Sequence, residues 1–162
     1  VALSKEKMKK INLKLIVKSV VDDFNNIYET KRGIQIVMKD SSNQEEYFIN
    51  GIENRVEQII ANLLDNSISF SDDNKKIFVE VSKNEKEKII LKVVDEGKGF
   101  KETSTKKIFE RFYSNRPDNF GEHSGLGLNI VKNLVDLHGA TINASNNITQ
   151  KGANVEIAFP RV

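Results

Sequence analysis

The stretch from Arg55 to Phe70 constrains this chain more than any other. Val56, Ile59, Ile60, Leu63 and Leu64 recur at intervals of three and four, which predicts an amphipathic helix. At about 100° per residue these side chains form one broad apolar arc. Asn62 and Asn66 lie one turn apart at its edge, and Asn66 projects within roughly 20° of Ile59. A helix that only buried a face would carry Leu or Ala there, since a buried amide without partners costs about 1–3 kcal/mol. The pair has two readings: hydrogen-bonded asparagines at a core edge, or oxygen ligands aimed at a hard cation and its phosphates.

Around this helix the chain predicts one domain. Its 162 residues suffice for a single sizeable core. Asn12 caps a helix running to about Lys31 with the stripe Leu13, Ile16, Val17, Val20, Phe24 and Ile27, and Gly33 ends it. Residues 1–11 carry Lys5, Lys7, Lys9 and Lys10 and read as a solvated linker or the frayed end of a preceding helix. Alternating apolar residues predict strands at Ile34–Met38, Ile77–Val81 and Ile89–Val93, with shorter ones at Tyr47–Ile49, Ala140–Ala144 and Asn154–Phe159. The short link at Asn84–Lys86 makes the second and third of these an antiparallel hairpin. Periodicity fades from Asp95 to Ser124, a length typical of a functional lid. A last helix opens at Gly125-Leu126-Gly127-Leu128 and ends before Gly139. The order predicts an α+β, two-layer sandwich with helices on one face of a mixed, mostly antiparallel sheet.

Composition removes several functions. No cysteine is present, which excludes disulfides, thiolate metal sites and a thiol nucleophile. Two histidines make a zinc cage improbable. The formal charge of +2 gives no case for nucleic acid. No apolar run approaches the roughly 18 residues of a membrane span.

Asp95-Glu96-Gly97-Lys98-Gly99 follows directly from a strand. It is either an Asp-Gly turn or an acceptor for an exocyclic amine, with glycines that let backbone approach a planar ligand. Ser124-Gly125-Leu126-Gly127-Leu128 sits at a helix start, where free N–H groups and the dipole suit an anion. It is not a P-loop, because no Gly-Lys-Ser/Thr occurs. Ile108, Phe109, Phe112 and Tyr113 form an aromatic patch that either pins the lid or docks on a partner, flanked by Arg111 and Arg116. His123 and His138 have no catalytic context, and His138, before the helix-ending Gly139, reads as structural.

The order of these signals resembles the catalytic, ATP-binding domain of bacterial two-component sensor histidine kinases, with its Bergerat fold. The resemblance covers about residues 12–160. Asn62 to Asn66 look like the N box, Asp95 to Gly99 the G1 box, Phe109 to Phe112 the F box and Gly125 to Leu128 the G2 box, and Gly152 is similar to the final glycine motif. The resemblance implies that Asn66 coordinates Mg²⁺ bridging the ATP phosphates, with Asn62 nearby. It implies that Asp95 binds the adenine amine and that Gly97 and Gly99 line its pocket. Ser124, Gly125, Leu126, Gly127 and Leu128 match the segment whose backbone contacts phosphates, and Arg111, Tyr113 and Arg116 fall at or near lid positions beside the nucleotide.

The resemblance also implies transfer of the γ-phosphate to a histidine on a separate dimerisation domain, expected before residue 1, for relay to a response regulator. Related gyrase-type ATPases place a glutamate one turn before the metal asparagine, whereas Asn62 cannot act as a base. Ser69, Phe70 and Ser114 depart from the family, which usually has basic or hydrogen-bonding residues there. The parent is expected to be a homodimer anchored in the inner membrane, with this part monomeric and cytoplasmic. The alternatives are a degenerate nucleotide sensor and a stand-alone anti-sigma-type serine kinase.

Overall fold

In the computed structural model, residues 7–39, 46–100, 108–109, 126–147 and 151–162 are described. Among them, in chain order, lie β1 (Lys9–Asn12), α1 (Leu13–Arg32), β2 (Gln35–Lys39), β3 (Phe48–Gly51), α2 (Glu53–Ser69), β4 (Lys76–Lys83), β5 (Ile89–Asp95), α3 (Leu126–Leu137), β6 (Thr141–Asn146) and β7 (Ala153–Phe159). Five strands form one sheet in the order β2-β4-β5-β7-β6. Only β2 and β4 run parallel; the other neighbours are antiparallel. The helices cover one face, as the α+β sandwich reading expects.

The sheet is built from period-two patterning. Ile77, Val79 and Val81 of β4, Leu91 and Val93 of β5, and Val155, Ile157 and Phe159 of β7 are buried, and the residues between them are more exposed. Their register stacks them into inward rows, such as Val79, Val93, Val155 and Ala144. Because successive side chains alternate faces, the same pleat turns Asp95 toward the helices. Its Cα partner on β4 is the buried Ile77.

Two features differ from the sequence reading. Residues Lys9 to Ile11, assigned to a linker, belong to β1, which pairs antiparallel with β3. Ile11 alone of these three is buried, and Lys10 lies over the Phe48 ring at 4.8 Å. The strand is set by its partner and not by local alternation. In α1 the buried residues are Leu13, Ile16, Val17, Val20 and Val21, whereas Ile27 is 54% exposed. In the C-terminal half of that helix the apolar packing on the core comes from Phe24 and Tyr28, whose rings stack at 5.9 Å. Its caps match expectation: the Asn12 side chain accepts from the Leu15 N–H, and the Gly33 N–H donates to the Glu29 carbonyl and the Ile34 N–H to the Tyr28 carbonyl.

Helix α2 is gripped at both ends by side chains of other segments. Its N-cap, Ile52, makes no side-chain cap bond. Instead the Ile52 N–H donates to His138 Nε2 at 3.1 Å, while His138 Nδ1 lies 2.8 Å from the Leu134 carbonyl. That pair of partners fixes the Nδ1–H tautomer, and the ring is buried. The structural reading of His138 stands. At the other end, Arg32 Nη1 donates to the Ile68 carbonyl at 2.8 Å and Nη2 to the Ser71 carbonyl at 2.7 Å. Its Nε donates to Asp73 Oδ1 at 2.8 Å. A planar guanidinium reaches all three acceptors, and an ammonium does not.

This grip gives a stability prediction. Arg32→Ala removes the donor to the Ser71 carbonyl and leaves the Ile68 carbonyl with only the Ser71 N–H, and should cost about 2–3 kcal/mol. That corresponds to a melting temperature lower by roughly 5–10 °C for a domain of this size. Asp73→Ala removes only a partner that is 64% exposed and should cost less than about 1 kcal/mol. Thermal unfolding of both variants checks the ranking.

Candidate nucleotide site

Asp95 closes β5 with 1% of its surface exposed. Its Oδ1 accepts the Gly97 N–H at 2.9 Å and the Ala153 N–H at 3.0 Å. One oxygen of the carboxylate is thus held by two main-chain donors, from the loop that follows β5 and from the start of β7. This is more than the Asp-Gly turn that the sequence left as one reading. A buried carboxylate needs such donors, since an unmet polar group in an interior costs several kcal/mol.

The glycines answer to the same crowding. A Cβ on Gly97 would stand 2.4 Å from the Phe70 carbonyl oxygen, at the end of α2. A Cβ on Gly152 would stand 1.9 Å from the Asp95 carbonyl oxygen, and its φ of +131° is one that side chains disfavour. Both close approaches are to main chain, which cannot swing aside. Gly99 has φ +80° and sits against the Asn146 side chain. Glu96 also anchors the loop, its Oε1 accepting the Lys76 N–H at 2.8 Å.

Asn62 and Asn66 are half-buried on α2, beside the fully buried Ile59 and Leu64. Phe70 donates its N–H to the Asn66 carbonyl at 3.3 Å, and the Phe70 carbonyl is the atom that abuts Gly97. Asn66, Phe70, Gly97 and Asp95 therefore form one contiguous line from helix to sheet end. α2 also packs along α3 and against β5. In α3, Leu128 is buried in the core. Gly127 differs from the other glycines, since a Cβ there would meet nothing within 4 Å among the described residues. No close packing among the described residues demands that glycine; open backbone at a helix start suits an approaching anion. Leu126 begins the helix.

Arg111, Tyr113, Arg116, Ser124 and Gly125 lie outside the described residues, as do Ser114, Phe112 and His123. Ile108 and Phe109 are buried with the main core. Of the departures noted in sequence, Ser69 is buried and its hydroxyl donates to the Asp65 carbonyl one turn back at 2.7 Å.

Sequence reasoning missed Asn146, Asn147 and Arg32. The first two form an Asn-Asn pair at the end of β6, and their amides bond the main chain of Asp95 and Phe100. Adjacent asparagines at a strand end, shortly before a glycine, were the available signal. Among the described residues no three His, Cys, Asp or Glu side chains cluster as a metal site. No helix among them is long and apolar enough to cross a membrane.

The comparisons with known proteins agree with this geometry. The family model described as histidine kinase-, DNA gyrase B- and HSP90-like ATPase matches residues 51–162. The sensor protein ChvG of Rhizobium meliloti (strain 1021) is 32% identical over 150 residues, covering 89% of this chain and 26% of that protein. The sensor protein kinase PmrB of Pseudomonas aeruginosa is 28% identical over 156 residues, covering 96% of this chain and 31% of that protein. The chain thus spans about a quarter to a third of these relatives' length. A nucleotide-free catalytic domain of the histidine kinase ThkA superposes with a TM-score of 0.80 at 23% identity, covering 96% of both chains. The full-length ShkA structure in complex with AMPPNP superposes at 0.78 and 22% identity, covering 96% of this chain and 31% of that one. With a family model covering more than half of its length, the chain belongs to the histidine kinase-, DNA gyrase B- and HSP90-like ATPases.

Proposed function

We propose that this chain binds ATP with Mg²⁺ and transfers the γ-phosphate to a histidine on a separate dimerisation domain of a sensor kinase, for relay to a response regulator. Family membership and the sensor-kinase relatives support the reaction class. The observation that carries the binding mode is the Asp95 carboxylate, buried at a strand end with Oδ1 fixed by two N–H donors. That fixed carboxylate is the group to accept the adenine amine. Gly97 and Gly99 keep the approach to the base free of side chains. The N-terminal turn of α3, at Leu126, Gly127 and Leu128, offers N–H groups to the phosphates. Arg111, Tyr113, Arg116, Ser124 and Gly125 are assigned to the same nucleotide by family resemblance.

The donor set fits Mg²⁺. With no acidic or imidazole cluster among the described residues, a metal here takes amide oxygen from Asn66, supported by Asn62, and its remaining ligands from phosphates and water. When bound, the metal neutralises phosphate charge. The chain's own part is positioning: α2 is held at both ends, and its two amides lie on a fixed face. Asn62 occupies a place where a carboxylate would activate water, and an amide cannot take that proton. The site therefore favours transfer to a presented nucleophile over hydrolysis. The proposal extends to a cytoplasmic setting within a membrane-anchored, homodimeric parent.

Ser69 favours a second reading, a nucleotide sensor that does not transfer phosphate. Its hydroxyl is spent on its own helix, and it supplies no cation to the phosphates.

Three outcomes are expected. In calorimetric titration, ATP binding requires Mg²⁺ and falls at least about tenfold in Asn66→Ala, with little change in melting temperature; metal-independent binding that the substitution leaves intact would refute the role of Asn66. Asp95→Asn keeps an acceptor for Gly97 and Ala153 only if its carbonyl takes the Oδ1 position, which puts an NH₂ against the adenine amine. That variant should fold and lose about ten- to a hundredfold in ATP affinity. Asp95→Ala, in contrast, orphans two main-chain donors and should lose about 2–5 kcal/mol of stability. Finally, incubation with [γ-³²P]ATP and a supplied histidine-bearing dimerisation domain should label that domain; ATP binding without label would select the sensor reading.

A further inference from the structure

The segment from Asp95 to Phe100 is held at its two ends by consecutive asparagines. Asn147 Nδ2 donates to the Asp95 carbonyl at 3.1 Å. Asn146 makes both bonds a strand neighbour would make: Phe100 N–H donates to its Oδ1 at 2.6 Å, and its Nδ2 donates to the Phe100 carbonyl at 3.0 Å. The asparagines are fixed in turn by strand register. Asn146 is the Cα partner of Ala153, whose N–H holds Asp95 Oδ1. The Asn147 N–H donates to the Gly152 carbonyl at 2.9 Å. Both ends of the segment are therefore referenced to the β6–β7 hairpin, forty-six and fifty-two residues away in sequence.

Stability alone does not explain Asn146. Its neighbours Ile142 and Ala144 alternate inward and are buried, whereas Asn146 is exposed. Its two bonds to Phe100 are only part-buried, so each contributes about 1 kcal/mol or less to folding. Its two bonds tie Phe100, next to Gly99, to the end of β6 beside Asp95.

We propose that Asn146 and Asn147 are positioning residues for base recognition, clamping the Asp95–Phe100 segment so that the Asp95 carboxylate meets the exocyclic amine of the purine. The inference rests on the reading that Asp95 accepts that amine. Loosening the clamp smears the carboxylate's position and weakens the one bond that tells adenine from other purines. Phosphate and metal contacts on α2 and α3 are untouched.

The test is base discrimination by the 162-residue chain. Dissociation constants are measured with Mg²⁺ for ATP and for purine riboside triphosphate, which lacks the amine, alongside thermal unfolding. The unsubstituted chain should prefer ATP by about ten- to a hundredfold, the worth of one hydrogen bond to a charged group. Asn146→Ala should bring that preference to within about threefold by weakening ATP alone, leaving analogue binding within about twofold of its starting value. Asn146→Asp keeps the acceptor for Phe100 N–H and loses the donor, so it should fall between. Asn147→Ala should act in the same direction as Asn146→Ala. A lower melting temperature with unchanged discrimination would show a merely structural role and overturn the proposal, as would equal losses of ATP and analogue. If the unsubstituted chain shows no preference for ATP, the Asp95 reading fails and this inference falls with it.

Discussion

A carboxylate turned inward at the end of a central strand is the constraint on which the rest of the site depends. The pleat of β5 sends Asp95 to the side that packs helices, level with Ile77, where its neighbours in the row are hydrocarbon. Oδ1 is satisfied from the main chain, by Gly97 and Ala153. Those two donors dictate much else. The loop must turn back at once, which brings Gly97 against the Phe70 carbonyl, and β7 must start beside Asp95, which brings Gly152 against the Asp95 carbonyl. The glycines follow from where the acid is placed.

The second constraint is the fixing of α2. A helix carrying half-buried amides toward a ligand is useful only if those amides stay put, since displacements near 1 Å cost orders of magnitude in rate. Packing of Val56, Ile59, Ile60, Leu63 and Leu64 sets its rotation. Packing leaves sliding along the axis open, and directional bonds at the two ends oppose it. His138 accepts from the first turn, and the Arg32 fork donates to the last. Each comes from a segment that itself packs against α2, so the three helices lock as a unit.

How legible this was in sequence depends on the range of the forces involved. Alternation in β4, β5 and β7 and the stripe of α2 are local patterns and appeared as read, as did the Asn12 and Gly33 caps of α1. Spacing of asparagine and glycine motifs along the chain carried the family resemblance. What escaped were long-range side-chain to main-chain bonds: Arg32 to the end of α2, His138 to its start, and Asn146 and Asn147 to the Asp95 segment. In sequence an arginine at a helix end looks like a dipole partner, and two asparagines look like a turn. β1 was hidden because only Ile11 of its first three residues is buried, and Ile27 was misjudged because α1 outruns the surface it covers. Neither fact is encoded within a few residues of the position concerned.

The two ends of the proposed nucleotide site are built on different principles, and this separates folding from function. The Asp95 end is mostly main chain and glycine, so a side chain added at Gly97 or Gly152 collides with backbone and damages the fold before it informs on binding. The α2 end presents Asn62 and Asn66 on a face that is only half-buried, next to a core already complete without them. Alanine at either position suits a helix better than asparagine does, by about half a kcal/mol in intrinsic propensity. Helix propensity alone therefore does not select either amide. Their placement one turn apart, on a helix gripped at both ends, is what the proposed role as oxygen ligands to a cation and its phosphates requires.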